Sequence, residues 1–305
     1  MERRNAKASA LWMVGAILAF SLTAVAGREA TTALDAGSLK ENLSISQLVF
    51  FRNVIGLAVI FLLLSFHRLR GGKLTLKTHH LKLHISRNFT HFCGQWCWFY
   101  GLAILPLAQV FAIEFTVPIW TAIFAGILLK EKLTPIRLIA LAMGFSGVLL
   151  ILKPGYSIIE WASWVVLFSA VAYALAHTLT KRIAGYDSAL TLLLYMHLIQ
   201  LPFALLLVAF DFSWPQGVVW LYVALTAVAA MSAHYCMAKA LSFADAMVVM
   251  PMDFLRLPLI ALVGYLFYQE HVDLWLFAGA LIMLLGNMLS LKESASKEPV
   301  KKEPA

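Results

Sequence analysis

The sequence predicts an all-α integral membrane protein with ten transmembrane helices in two inverted five-helix repeats. Three observations carry that expectation: an apolar composition, ten apolar runs of spanning length, and self-similarity at a fixed offset. Of the 305 residues, 61% are hydrophobic and only 13% charged, and mean hydropathy is +0.81. Soluble domains carry about 25% charged residues.

Crossing about 30 Å of hydrocarbon takes roughly 20 apolar residues in a helix. Runs of that kind fall at 9–27, 46–66, 86–105, 107–129, 135–152, 161–180, 188–210, 216–238, 243–268 and 273–291. The first also resembles a secretory leader: a basic "MERRNAKASA", an apolar "LWMVGAILAFSL", and "AVA" before Gly27. It is read as helix 1, because an offset of 153 lays it over helix 6 and pairs Ala19 with Ala172 and Phe20 with Tyr173. Connections are short except the first outer loop and 67–85, and the tail "KESASKEPVKKEPA" has a disordered composition.

The net charge of +8 would suggest nucleic acid in a soluble chain. Its distribution argues otherwise. With the N-terminus inside, 19 Lys and Arg fall in cytoplasmic segments, Arg87 and Arg137 among them, and 3 fall outside. The positive-inside rule then puts both termini in the cytoplasm. A cell inner membrane, multi-pass location is expected, with membrane lipids as partners and no nucleic acid.

An offset of 139 lays helices 4 and 5 over helices 9 and 10 without a gap, pairing Glu114 with Asp253, Phe115 with Phe254, Glu131 with Glu270, and Gly147 with Gly286. Five helices per half invert the second half. The expected divisions are residues 1–153, residues 154–291, and a cytoplasmic tail at 292–305. Inverted repeats with a midplane site are a transporter architecture.

The segments "VFFRNVIGL", "WCWFYGLAILPLAQVFAIEFTVPIWTAIFAGILLKEKL", "GFSGVLLILKPG" and "ADAMVVMPMDFLRLPLIALVGYLFYQE" resemble the ten-helix EamA-type branch of the drug/metabolite transporter superfamily. The resemblance covers nearly the whole chain. It implies carriage of a small metabolite, with S-adenosylmethionine, riboflavin and amino-acid carriers all sharing the pattern.

An ionisable group at the bilayer centre costs about 2.5–3.5 kcal/mol on insertion scales, so each is a site candidate. Four stand out within the predicted spans: Arg52, Glu114, Asp253 and Arg256. Two acids and two bases sum to zero, which suits a zwitterionic or planar substrate. Asp253 and Arg256, spaced i and i+3, read either as a local pair that orients helix 9 or as a substrate contact. Glu114 has no base within a turn, so its expected partner is Arg52 or Arg256 on another helix. Arg52 could instead snorkel outward. Pro118, Pro251 and Pro258 remove backbone donors near both acids.

Helix 3 is the most aromatic and polar span; from it Trp98 and Gln95 join the substrate-site candidates, together with Phe115 and Tyr173. Glu114, His177 and His234 are candidate proton relays, although a lone helical histidine is more often simply packed; Tyr195, His197 and Tyr235 are weaker candidates. Cys93, Cys97 and Cys236 form no metal or redox motif, no phosphate loop or catalytic triad is present, and no cofactor is expected. Small residues such as Gly144, Gly147 and Gly286 read as close-packing positions. The expectation is a non-enzymatic secondary transporter of a small molecule working by alternating access as a monomer or homodimer. Proton-coupled export is the alternative, with a non-transporting membrane protein behind it.

Overall fold

The computed structural model describes residues 5–32, 43–69, 76–105, 107–152, 161–209, 212, 214–268 and 274–296. Its helices are α1 (Ala6–Thr32), α2 (Ile45–Leu69), α3 (Leu81–Ile104), α4 (Leu107–Glu114), α5 (Val117–Leu129), α6 (Pro135–Leu152), α7 (Trp161–Ile183), α8 (Ala189–Val208), α9 (Val219–Phe243), α10 (Ala246–Val249), α11 (Arg256–Tyr268) and α12 (Leu274–Ser296). A 3-10 turn, Met250–Leu255, joins α10 to α11. Each of the ten expected spans is present, and the fold is an all-helical, multi-pass membrane fold.

Two spans expected to be continuous are broken. The fourth stops at Glu114 and restarts at Val117, and the ninth passes through the 3-10 turn. Proline explains both. Pro118 lies in the first turn of α5 and Pro258 in that of α11, where a missing N–H is tolerated, so each restarts a helix. Thr116 tightens the first break by donating its hydroxyl to the Ile113 carbonyl at 2.7 Å.

Other boundaries also shift. α3 begins at Leu81, five residues before the expected span, and α12 continues to Ser296, so 292–296 is helix rather than tail. Residues 33–42 of the first outer loop, Glu270 and residues 297–305 lie outside the described residues.

Element starts repeat at the offset read from the sequence: Leu107 with Ala246, Val117 with Arg256, and Pro135 with Leu274. Packing reciprocates too. α1 lies on α9 as α7 lies on α3, while α2 pairs with α8 and α6 with α12. Where α6 crosses α12, a methyl on Gly147 would meet the Gly279 carbonyl and one on Gly286 the Ala140 carbonyl, and 140 and 279 are themselves an offset pair. Such reciprocity is what a two-fold axis between elements produces.

Lipid tails are as apolar as leucine, so close contact rather than burial holds these helices together. Gly144 faces the Phe254 ring and Gly56 the His197 ring, and a methyl at either position would overlap that ring. The main core gathers Met13, Phe115, Leu241, Met250, Phe254 and Met283 from both halves. Leu11, Leu62, Ile127, Leu206 and Leu274 point outward as the apolar belt that faces lipid.

At the end of the bundle where α1 begins and α12 ends, polar contacts tie six segments together. Arg137 pairs with Asp245 at 2.7 Å, and Glu131 accepts from the N–H groups of Ala246 and Met247 at 2.9 and 3.0 Å. Burial raises the Glu131 carboxyl above its ordinary range, against the opposite pull of those N–H groups. Lys181 caps α9 through the Leu241 and Ala244 carbonyls, and Thr134 donates to Glu293. Asn5 and Ser9 donate to the carbonyls of Phe243 and Ala240.

Candidate substrate site

One face of α3 organises the interior. His84, Arg87, Asn88, His91, Gln95 and Trp98 recur every three or four residues and therefore share a stripe. At its terminal end His84 Nε2 lies 2.9 Å from Asp187, which also accepts from Thr78. Deeper in, Arg87 donates to Thr180 at 3.1 Å and to Asn88 at 2.7 Å. Gln200 of α8 bonds Asn88 and the Nδ1 of His91, whose ring meets Tyr173 and His234 edge-on.

The stripe ends at the charged centre. Trp98 Nε1 donates to Glu114 Oε2 at 2.8 Å, and Arg256 donates to Glu114 Oε1 at 2.6 Å. Arg256 also holds Asp253 at 3.0 Å. Helix breakage builds this cluster, since Glu114 is the last residue of α4 and Arg256 the first of α11. Phe20 and Phe115 cover the guanidinium, with ring centroids 5.7 and 5.5 Å from Cζ, in cation–π geometry. Phe115 and Phe254, an offset pair, meet at 6.2 Å.

The expected residues are thus sorted by geometry. Glu114, Asp253, Arg256, Trp98 and Phe115 form one cluster. Arg52 does not snorkel: it is 5% exposed and donates to Gln95 at 2.6 Å. Tyr173 stacks on His177, and His234 packs against Phe20, so the two candidate relay histidines sit in an aromatic set beside the centre. His197 bonds Asn53, while Tyr195 packs tilted against His84 and Tyr235 edge-on against Trp12, away from the centre.

Arg87, expected in a cytoplasmic segment and not weighed as a site residue, is 1% exposed within α3. Phe20, Asn88, His91 and Gln200 were also missed as site residues. The helical period of polar residues along α3 is the signal that finds three of them. Among the described residues no group of three or more His, Cys, Asp or Glu is placed to hold a metal ion.

A fold of this kind, with ionised side chains gathered where two spanning helices break, is that of a membrane transporter. The chain belongs to the EamA-like transporter family, which matches residues 7–153 and again 160–292. It is 30% identical to the riboflavin transporter of Rhizobium johnstonii, over 98% of this chain and 95% of that protein. Against the S-adenosylmethionine uptake transporter of Rickettsia felis it is 25% identical, over 78% of this chain and 80% of that one. A solved crystal structure superposes with a TM-score of 0.77 at 16% identity, covering 96% of this chain and 99% of the other, which shows the shared fold.

Proposed function

We propose that this protein is a secondary transporter of a planar, flavin-type metabolite in the cell inner membrane, working by alternating access between residues 1–153 and 154–291. The observation that carries this reading is the Glu114–Arg256–Asp253 network, which joins the two halves at their broken helices. A network across an interface can exchange partners when the halves rock; one confined to a single helix cannot. Discontinuous helices with freed backbone groups are where transporter sites form.

Several features support the substrate class. Trp98, Phe115, Phe20 and Tyr173 offer ring faces around the polar centre, and planar ligands stack on such faces. Similarity to proteins named riboflavin transporters points the same way. The positive-inside distribution makes the end where α1 begins and α12 ends cytoplasmic. That end is tied by Arg137, Asp245, Glu131 and Lys181, whereas toward the opposite end α1 and α11 leave an apolar crevice of about 480 Å³ on the lipid-facing surface, lined by Leu18, Leu22 and Leu259. Its offset counterpart, α5 against α7, packs more extensively.

Counterflow tests the assignment. Proteoliposomes loaded with unlabelled riboflavin should accumulate external labelled riboflavin saturably, and excess S-adenosylmethionine should compete poorly. Absence of protein-dependent accumulation would overturn the flavin assignment.

A further inference from the structure

Arg52 and Arg87 are 5% and 1% exposed, and neither has a carboxylate partner among the described residues. Arg52 reaches the Gln95 oxygen, and Arg87 reaches only Thr180 and Asn88. With Arg256, three guanidiniums face two carboxylates, Glu114 and Asp253, between the two ends of the bundle. Among the described residues of this region the guanidiniums outnumber the carboxylates by one, because Arg87 joins the four residues that sum to zero. An uncompensated buried charge is costly unless a counter-charge reaches it.

Orphaned acceptors lie elsewhere in the interior, at Asp253 Oδ1 and Gln200 Oε1, but between α2 and α3 the orphaned atoms are donors. Arg52 Nε and Gln95 Nε2 are buried with no hydrogen-bond partner, and both are donors. The amide orientation follows from chemistry: a guanidinium has no acceptor, so Gln95 must turn its oxygen toward Arg52 and its NH₂ away. Two convergent helices thus present unsatisfied donors beside positive charge. Trp98, one turn along α3 from Gln95, links this point to the charged centre.

We propose that Arg52 and Gln95 form a subsite for an anionic oxygen group of the transported molecule, a carboxylate or phosphate, with the unpaired charge of Arg87 favouring the same ligand. Planar guanidinium donors suit such groups in bidentate geometry. This deepens the transport reading and rests on it for the identity of the site. It makes the preferred substrate a net anion, and it disfavours cations such as a sulfonium.

Matched pairs differing by one negative group test it by binding, without transport. Riboflavin 5′-phosphate against riboflavin, and indole-3-acetate against indole-3-acetamide, are titrated onto the purified full-length protein in nanodiscs, with melting temperature as readout. The anionic member of at least one pair should bind about tenfold more tightly, a difference of about 1.4 kcal/mol. Arg52→Gln should erase that preference and Arg52→Lys keep part of it. Should Arg52→Gln fail to fold, Gln95→Leu should reduce the preference, and the comparison in the unaltered protein stands alone. Equal or tighter binding of the neutral members, a preference that survives both substitutions, or no binding of any probe would each overturn the subsite. Anion-selective binding with no flux in proteoliposomes would leave the subsite standing and defeat the transport reading instead.

Discussion

Arg256 serves two carboxylates at once, and this changes what each acid can do. Asp253 is held by its own helical turn at 3.0 Å, whereas Glu114 reaches Arg256 from another span at 2.6 Å and also accepts from Trp98. The first contact survives any rigid motion of the ninth span; the second does not. Arg256→Leu would strand both carboxylates and should lower unfolding stability by about 3–5 kcal/mol. Asp253→Asn leaves Arg256 its Glu114 partner and should lose about 1–3 kcal/mol. Thermal unfolding of both variants in one detergent separates these expectations, and equal losses would show that the acids do not share the base. At this scale the sequence was largely readable. Glu114 was expected to find Arg52 or Arg256, because no base stood near it in its own helix. Arg87 escaped because it was assigned by nearness to a loop, and depth along a helix that begins five residues early is invisible to a hydropathy run.

Helices are interrupted twice, at positions 139 residues apart, and the interruptions make the site. A continuous α-helix through Glu114 would carry its carbonyl in the ladder and fix its direction; ending α4 there places the side chain at the turn. Hydropathy could not show this, since Phe115, Thr116 and Val117 are as compatible with a helix as with a break. Pro118, Pro251 and Pro258 were the local signals. The α6–α12 crossing gives a sharper test of reciprocity. A Cβ on Gly147 would lie 2.7 Å from the Gly279 carbonyl oxygen and 2.7 Å from Met283 Cγ, while one on Gly286 would lie 3.0 Å from the Ala140 oxygen. Alanine gains about 1 kcal/mol over glycine in a helix, and overpacking costs about 1–3 kcal/mol. Steric cost should win at Gly147, so Gly147→Ala should lower the melting temperature, while Gly286→Ala should come out near neutral. Stabilisation by Gly147→Ala would show that this crossing is looser than described.

Across the whole molecule, polar side chains are segregated by depth. A belt of leucines and aromatics faces lipid, a layer of ion pairs ties the end where α1 begins and α12 ends, and an inner column runs along α3 from His84 to Trp98. The column joins that end to the Glu114–Arg256 centre, and the crevice between α1 and α11 lies toward the other end. Composition and repeat spacing were enough to read this architecture, because ten apolar runs and one offset leave few alternatives. Which polar residues meet was legible only in part, since helix rotation sets it and apolar runs carry little rotational information. The central claim is that the Glu114–Arg256 contact is a moving part of transport and not only a brace. Riboflavin counterflow by Glu114→Gln, set beside its melting temperature and riboflavin affinity, tests it most directly. A folded, membrane-inserted variant that still binds riboflavin but exchanges it at least tenfold more slowly is the predicted result. Counterflow at the unaltered rate in a protein of normal stability would contradict the account and leave the pair as architecture.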